Sequence, residues 1–128
     1  MWPSRVGKSD FLLKIYGHYP SLDGVEVTEL VLSREGPSIS LSLLAPTLPY
    51  NPPADWKPFN QVFFGLRFIS IDAVEITKLS VDGRSNIRMW DQGSCIRAQC
   101  AGAAEFDVHF QHLMIDRISG VLSEGPER

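Results

Sequence analysis

The chain has 128 residues, 44% hydrophobic and 21% charged, with a net charge of −3 and a pI near 5.5. That is one domain (1–128), able to bury roughly two-thirds of the surface its unfolded form exposes, so it needs neither disulfide nor structural metal to hold a core. Polar residues interrupt every apolar run well short of the ~18 residues that read as a membrane span, and the acidic balance disfavours nucleic acid, whose phosphates select a basic face.

The opening Met1-Trp2-Pro3-Ser4-Arg5 lacks the basic-then-apolar order of a secretory leader, and a cytoplasmic location is expected. The first predicted element is a helix. Ser9 suits its N-cap and Asp10 its positive end, while Phe11, Leu12, Ile15 and Tyr16 recur on one stripe. Gly17 supplies a left-handed stop, and Pro20 forbids continuation. About two turns cannot stand alone in water, so this helix must dock.

From Val25 the period changes to two. Val25 and Val27 alternate with Glu26 and Thr28, and the phase slips near Glu29 before Leu30 and Leu32, which predicts a β-bulge. Arg34-Glu35-Gly36-Pro37 is a turn, after which Ile39, Leu41 and Leu43 alternate with Ser38, Ser40 and Ser42. The two strands read as an antiparallel hairpin.

Residues 46–58 form a proline-rich loop holding five of the nine prolines together with Tyr50 and Trp56. Proline lacks the amide donor and fixes its backbone, so this is a semi-rigid loop and not a strand. Trp56 reads first as a lid on the core, and second as a partner contact.

Val62, Phe64, Leu66 and Phe68 mark a long strand, with Phe63 and Ile69 on its other side, which predicts a central strand covered on both faces. Val74 and Ile76 continue the alternation to an Asp82-Gly83 turn. Three short strands follow at Ile87 and Met89, at Ile96 to Cys100, and at Phe106 to Phe110; Leu113 to Leu122 is a weaker element, and 123–128 a frayed tail. The expected fold is mostly β (α+β): one short N-terminal helix packed on a largely antiparallel sheet or sandwich of about seven to eight strands.

Candidate chemistry is thin. Val6-Gly7-Lys8-Ser9 imitates the end of a phosphate loop, but Trp2 stands where the first glycine belongs. Cys95 and Cys100 lie five apart on a predicted strand, hence on opposite faces, and read as two packed thiols. His109 and His112 would also face opposite sides of a strand. Asp107 joins His109 on one face without a nucleophile or third ligand, as a surface pair does. His18 sits at the helix exit, where a cation suits the negative end of the dipole. The paired carboxylates Glu26 and Glu29, or Glu105 and Asp107, occupy positions that strands commonly give to their wet face. No catalytic residue, metal site or cofactor is predicted.

The order of several short features resembles the immunity protein 50 family of bacterial polymorphic-toxin systems. They are Met1-Trp2, the helix ending Tyr16-Gly17, Pro20-Ser21-Leu22 before the Val25 strand, Gly36-Pro37 before Ile39, Pro52-Pro53, Trp56-Lys57, and Asn60 opening the Phe64–Phe68 strand. The resemblance covers about the first eighty residues. The family frequently carries a tryptophan near the Ile76–Leu79 strand, where this chain has Lys78-Leu79. It implies a cytoplasmic antitoxin-like protein that neutralises a cognate toxin by stoichiometric binding, with no cofactor. A ligand- or peptide-binding β domain is the alternative, and a small hydrolase or isomerase a third reading.

Many toxins that attack nucleic acid present basic clefts, so acidic clusters are candidate contacts: Asp23, Glu26 and Glu29; Asp72 and Glu75; Glu105 and Asp107. The competing explanation is that these acids are solvated sheet edges that discourage aggregation. Tyr50 on the proline-rich loop is the further candidate.

Overall fold

The computed structural model describes residues 2–80 and 82–122; the expected frayed tail lies outside them. The elements run β1 (Val6–Gly7), α1 (Asp10–Tyr16), β2 (Leu22–Ser33), β3 (Ser38–Ala45), β4 (Gln61–Leu79), β5 (Ser85–Gln92), β6 (Cys95–Gly102) and β7 (Ala104–Val121). This is the expected mostly β chain with one short helix. Neighbours follow the order β1-β7-β4-β3-β2-β5-β6, and β6 pairs again with β7. Six strands therefore close on themselves, so that of the expected sheet or sandwich the chain forms a single sheet, and that sheet is rolled into a barrel. Their mutual pairings are all antiparallel. β1 was not foreseen; it adds in parallel to Leu113 and Met114.

The closure is steeply staggered. Ile76 faces Phe106, Phe106 faces Cys100, Cys100 faces Ile87, and Ile87 faces Leu22. A few residues along β2, Glu26 faces Leu44, which faces Phe63. A circuit that leaves β4 at Ile76 thus returns to it near Phe63, so the strands tilt strongly across the barrel axis.

Alternation decides what fills the barrel. Ile39, Leu41 and Leu43 of β3, Val62 to Phe68 of β4 at every second residue, and Phe106, Val108 and Phe110 of β7 are all buried, with Phe68 stacked on Phe110 at 4.4 Å. The predicted slip in β2 is present as a register shift between Val27 and Glu29. β4 is central, between β3 and β7, but it is not covered on both faces: the inner face is buried from Val62 to Phe68, the outer face is half-buried at Phe63 and Ile69 and exposed at Arg67, and both faces are exposed from Asp72 onward. The separate last element expected from Leu113 is instead the continuation of β7. Register shifts at Gly65/Leu66, Ile71/Ala73 and Ile76/Lys78 let β4 and β7 coil while staying paired, so neither breaks into two strands.

One end of the barrel is closed by α1 and the proline-rich loop. Ser9 takes the N-cap position through its carbonyl, which accepts from Leu13 N at 3.0 Å, and not through its hydroxyl; Gly17 ends the helix at φ 78°. Leu12, Ile15 and Tyr16 are buried, whereas Phe11 lies at the margin, edge-on to Trp56. The Tyr16 ring packs on Phe64 and its hydroxyl donates to the Thr47 carbonyl at 2.7 Å. Trp56 folds inward against Phe59 at 5.1 Å, the lid arrangement.

Candidate functional site

The other end, where β4 finishes and β7 begins, carries the polar side chains. Outward positions here line up across four strands because the register is fixed by the buried positions between them. Glu75 faces Asp107, Asp107 faces Gln99, and Gln99 faces Arg88. In the next row Ala73 faces His109, His109 faces Arg97, and Arg97 faces Trp90.

Asp107 is the centre of this surface. Arg97 donates to it through Nε to Oδ1 at 3.0 Å and Nη2 to Oδ2 at 2.6 Å, and Gln99 Nε2 donates to Oδ2 at 3.1 Å. The guanidinium also lies over the Trp90 ring, 5.5 Å from its centroid. The Arg97 hydrogen bond holds the Asp107 carboxyl below its usual range, with lesser help from Gln99 and the nearby His109. Beside this cluster a shallow depression of about 290 Å³ is lined by Glu75, Thr77, Gln99, Glu105 and Asp107, with Cys100 and Phe106 beneath.

The predicted contact residues therefore fall into separate places. Glu75, Glu105 and Asp107, placed in two clusters by sequence, share one surface. Asp72 neighbours it, its carboxylate accepting from Gln111 Nε2. Asp23, Glu26 and Glu29 are exposed on β2, separated from β7 by β5 and β6. Tyr50 is 75% exposed, but at the closed end, its ring beside Gly17 at the helix exit.

His109 and His112 do not face opposite sides as expected. Phe110 and Leu113 are both buried although three residues apart, so the strand slips phase between them and His112 is exposed, opposite Ile69. Among the described residues no three His, Cys, Asp or Glu side chains converge as metal ligands. Cys95 and Cys100 are free, Cys100 inside the barrel and Cys95 half-buried. Burial pushes the Cys100 thiol up to about 11. Arg97, Gln99, Arg88 and Trp90 were not singled out from sequence; their only signal was alternation with Ile87, Met89, Ile96 and Ala98.

The inner face at this end is uncovered. Leu32 faces Ile39, Val74 faces Val108, Ile76 faces Phe106 and Leu79 faces Ala104. All four partners are buried, yet Leu32 and Leu79 are more than half exposed, and Val74 and Ile76 more than a third. The apolar lining runs on past the point where the barrel stops enclosing it.

The barrel is thus asymmetric, covered at one end by α1 and the proline-rich loop and open at the other, where apolar side chains lie exposed beside acidic ones. Residues 9–121 match the family model Immunity protein 50, and the chain belongs to that family. The match extends through β7, well beyond the eighty residues on which the sequence resemblance rested. A family of immunity proteins implies a toxin as partner and a role that in general is not catalytic. No curated protein and no solved structure matches the chain significantly. Among the described residues no helix is long and apolar enough to cross a membrane.

Proposed function

We propose that this protein neutralises a cognate bacterial toxin by binding it stoichiometrically in the cytoplasm, as the antidote half of a polymorphic-toxin pair. Family membership over most of the chain carries the reading. The open end adds support, since apolar side chains surrounded by Asp72, Glu75 and Glu105 are what a basic partner surface requires.

The test is co-expression with the toxin domains found among the products of the genes flanking its own, paired with calorimetry on the purified proteins. Restored growth and a stoichiometry near one to one are expected. Restored growth without a measurable complex would move the protein to another mode of action, chemical modification of the toxin included.

A further inference from the structure

Beyond Ile69, β4 keeps β7 on one side and, among the described residues, has no strand on the other. The last contact there is from Ile71 N–H to the Pro37 carbonyl, 3.1 Å, at the tip of the β2–β3 hairpin. Asp72 to Leu79 consequently offers a free edge of peptide groups, a template for an incoming strand. The side chains of this run divide by face. Val74 (37% exposed), Ile76 (38%) and Leu79 (60%) extend the core face without cover. Glu75 points outward, Asp72 sits at the register shift, and Glu105 lies on the neighbouring strand. Lys78 is the single cation of the run.

Another copy of this chain suits the edge poorly. Asp72 and Glu75 of one copy would stand near the same acids of the other, and each copy carries a net charge of −3. A segment with apolar residues at alternate positions and lysine or arginine between them matches both faces at once.

We propose that the toxin supplies such a segment, which adds as a strand to the Asp72–Leu79 edge of β4. Its apolar side chains cover Val74, Ile76 and Leu79, and its cations meet Asp72 and Glu75. This mode rests on the toxin-neutralising reading above and specifies how the complex forms.

Hydrogen exchange on the protein, alone and with the toxin domain that the co-expression test identifies, tests the mode. A synthetic peptide of about six to eight residues alternating Lys and Val, and the same peptide N-methylated at every residue, serve as defined probes. The expected result is slowed exchange at the amides of 72–79 with toxin and with the plain peptide, and none with the methylated peptide, which cannot complete the ladder. Because these side chains are exposed, Glu75→Lys and Asp72→Lys should fold normally, and together they should weaken toxin binding by about tenfold or more.

Tight toxin binding that leaves 72–79 unprotected, or that the double reversal does not change, overturns strand addition while the immunity reading stands. Protection of 72–79 in the protein alone, accompanied by a dimer in sedimentation, assigns the edge to a second copy and also overturns it. Failure of the wild-type chain to bind the toxin at all removes the function and this mode together.

Discussion

Gly120 lies under Trp56 with no room for a side chain: a Cβ built on it would stand 2.8 Å from Trp56 Cε3 and 2.9 Å from Phe59 Cγ. The tryptophan lid of the closed end therefore depends on a missing methyl group in β7. Gly120→Ala should destabilise the protein by about 1–3 kcal/mol through overpacking. Trp56→Ala should lower stability by about 2–4 kcal/mol, short of the full cost of a wholly enclosed aromatic because Trp56 is half-buried. The double variant should fall short of the sum, since each change relieves the other. Urea denaturation of the four proteins reads this directly. A Trp56→Ala chain with unchanged stability and lost toxin affinity would make Trp56 a partner contact and not a lid.

Gly102 presents a harder constraint. Its φ is 131°, and an added Cβ would come 2.5 Å from the Arg84 carbonyl oxygen and 2.9 Å from Ser85 Cα. Both obstacles are backbone, which cannot rotate away, and Ser85 is buried with its hydroxyl accepting the Ala104 amide at 2.9 Å. Gly102→Ala should therefore destabilise by about 3 kcal/mol or more. Gly93→Ala is the control: its φ of 64° is also positive, but nothing lies within 4 Å of the added atom. Thermal melts should separate the two clearly, and equal losses would refute the steric argument.

Alkali should weaken the fold at Cys100. Burial raises its thiol from an ordinary 9.0 to about 11, and Tyr16 is raised above its ordinary 10.0 by burial as well. A raised folded pKa means that the native state holds the proton more tightly. The stabilisation is thus complete below the unfolded value and is lost as pH climbs from about 9 toward 11 for Cys100. Cys100→Ala should flatten the fall in unfolding free energy across that window. A thiol reagent at neutral pH should label Cys95 well before Cys100. Equal labelling rates would show that Cys100 is not shielded.

The Arg97–Asp107 pair predicts the opposite limb. Because the Asp107 carboxyl is held below its usual range by the Arg97 hydrogen bond, its contribution is present above the unfolded carboxylate pKa and lost as pH falls through the folded one. Arg97→Gln should be less stable than wild type at neutral pH and indistinguishable from it once Asp107 is protonated in both. Unfolding curves at the two pH values measure the difference. A gap that persists in acid would mean that Arg97 acts through its packing on Trp90 and not through the ion pair.

Much of this was legible in the residues. The serine-leucine alternation of β3, the Gly36-Pro37 turn, the phase slip before Glu29 and the Gly17 stop each have one local physical cause, and each stands where sequence placed it. Closure was not legible, because a period of two says which face a residue takes and nothing about which strand lies beside it. β6 pairing with both β5 and β7 is a relationship between segments, and so is the row running from Glu75 to Arg88. The acidic residues were visible singly; that Glu75 and Asp107 stand opposite one another required the register. Arg97 was overlooked because an outward arginine on a strand looks like any solvated charge until a carboxylate is found in its reach.

The ring is unevenly stitched. β2 and β5 share only the Leu22–Ile87 and Val25–Ser85 pairs, with a break between them, whereas every other junction around the barrel has at least five registered pairs. Two side chains act as buttons across this junction: Asn86 Oδ1 accepts the Gly24 amide at 2.8 Å, and Arg84 Nη1 donates to the Gly24 carbonyl at 2.9 Å. If the barrel parts below its global unfolding energy, it parts here first, unrolling into a ribbon with every other ladder intact. That ribbon would bare its core face along its whole length. The chain's resistance to clumping then hangs on how firmly one asparagine and one arginine hold a glycine.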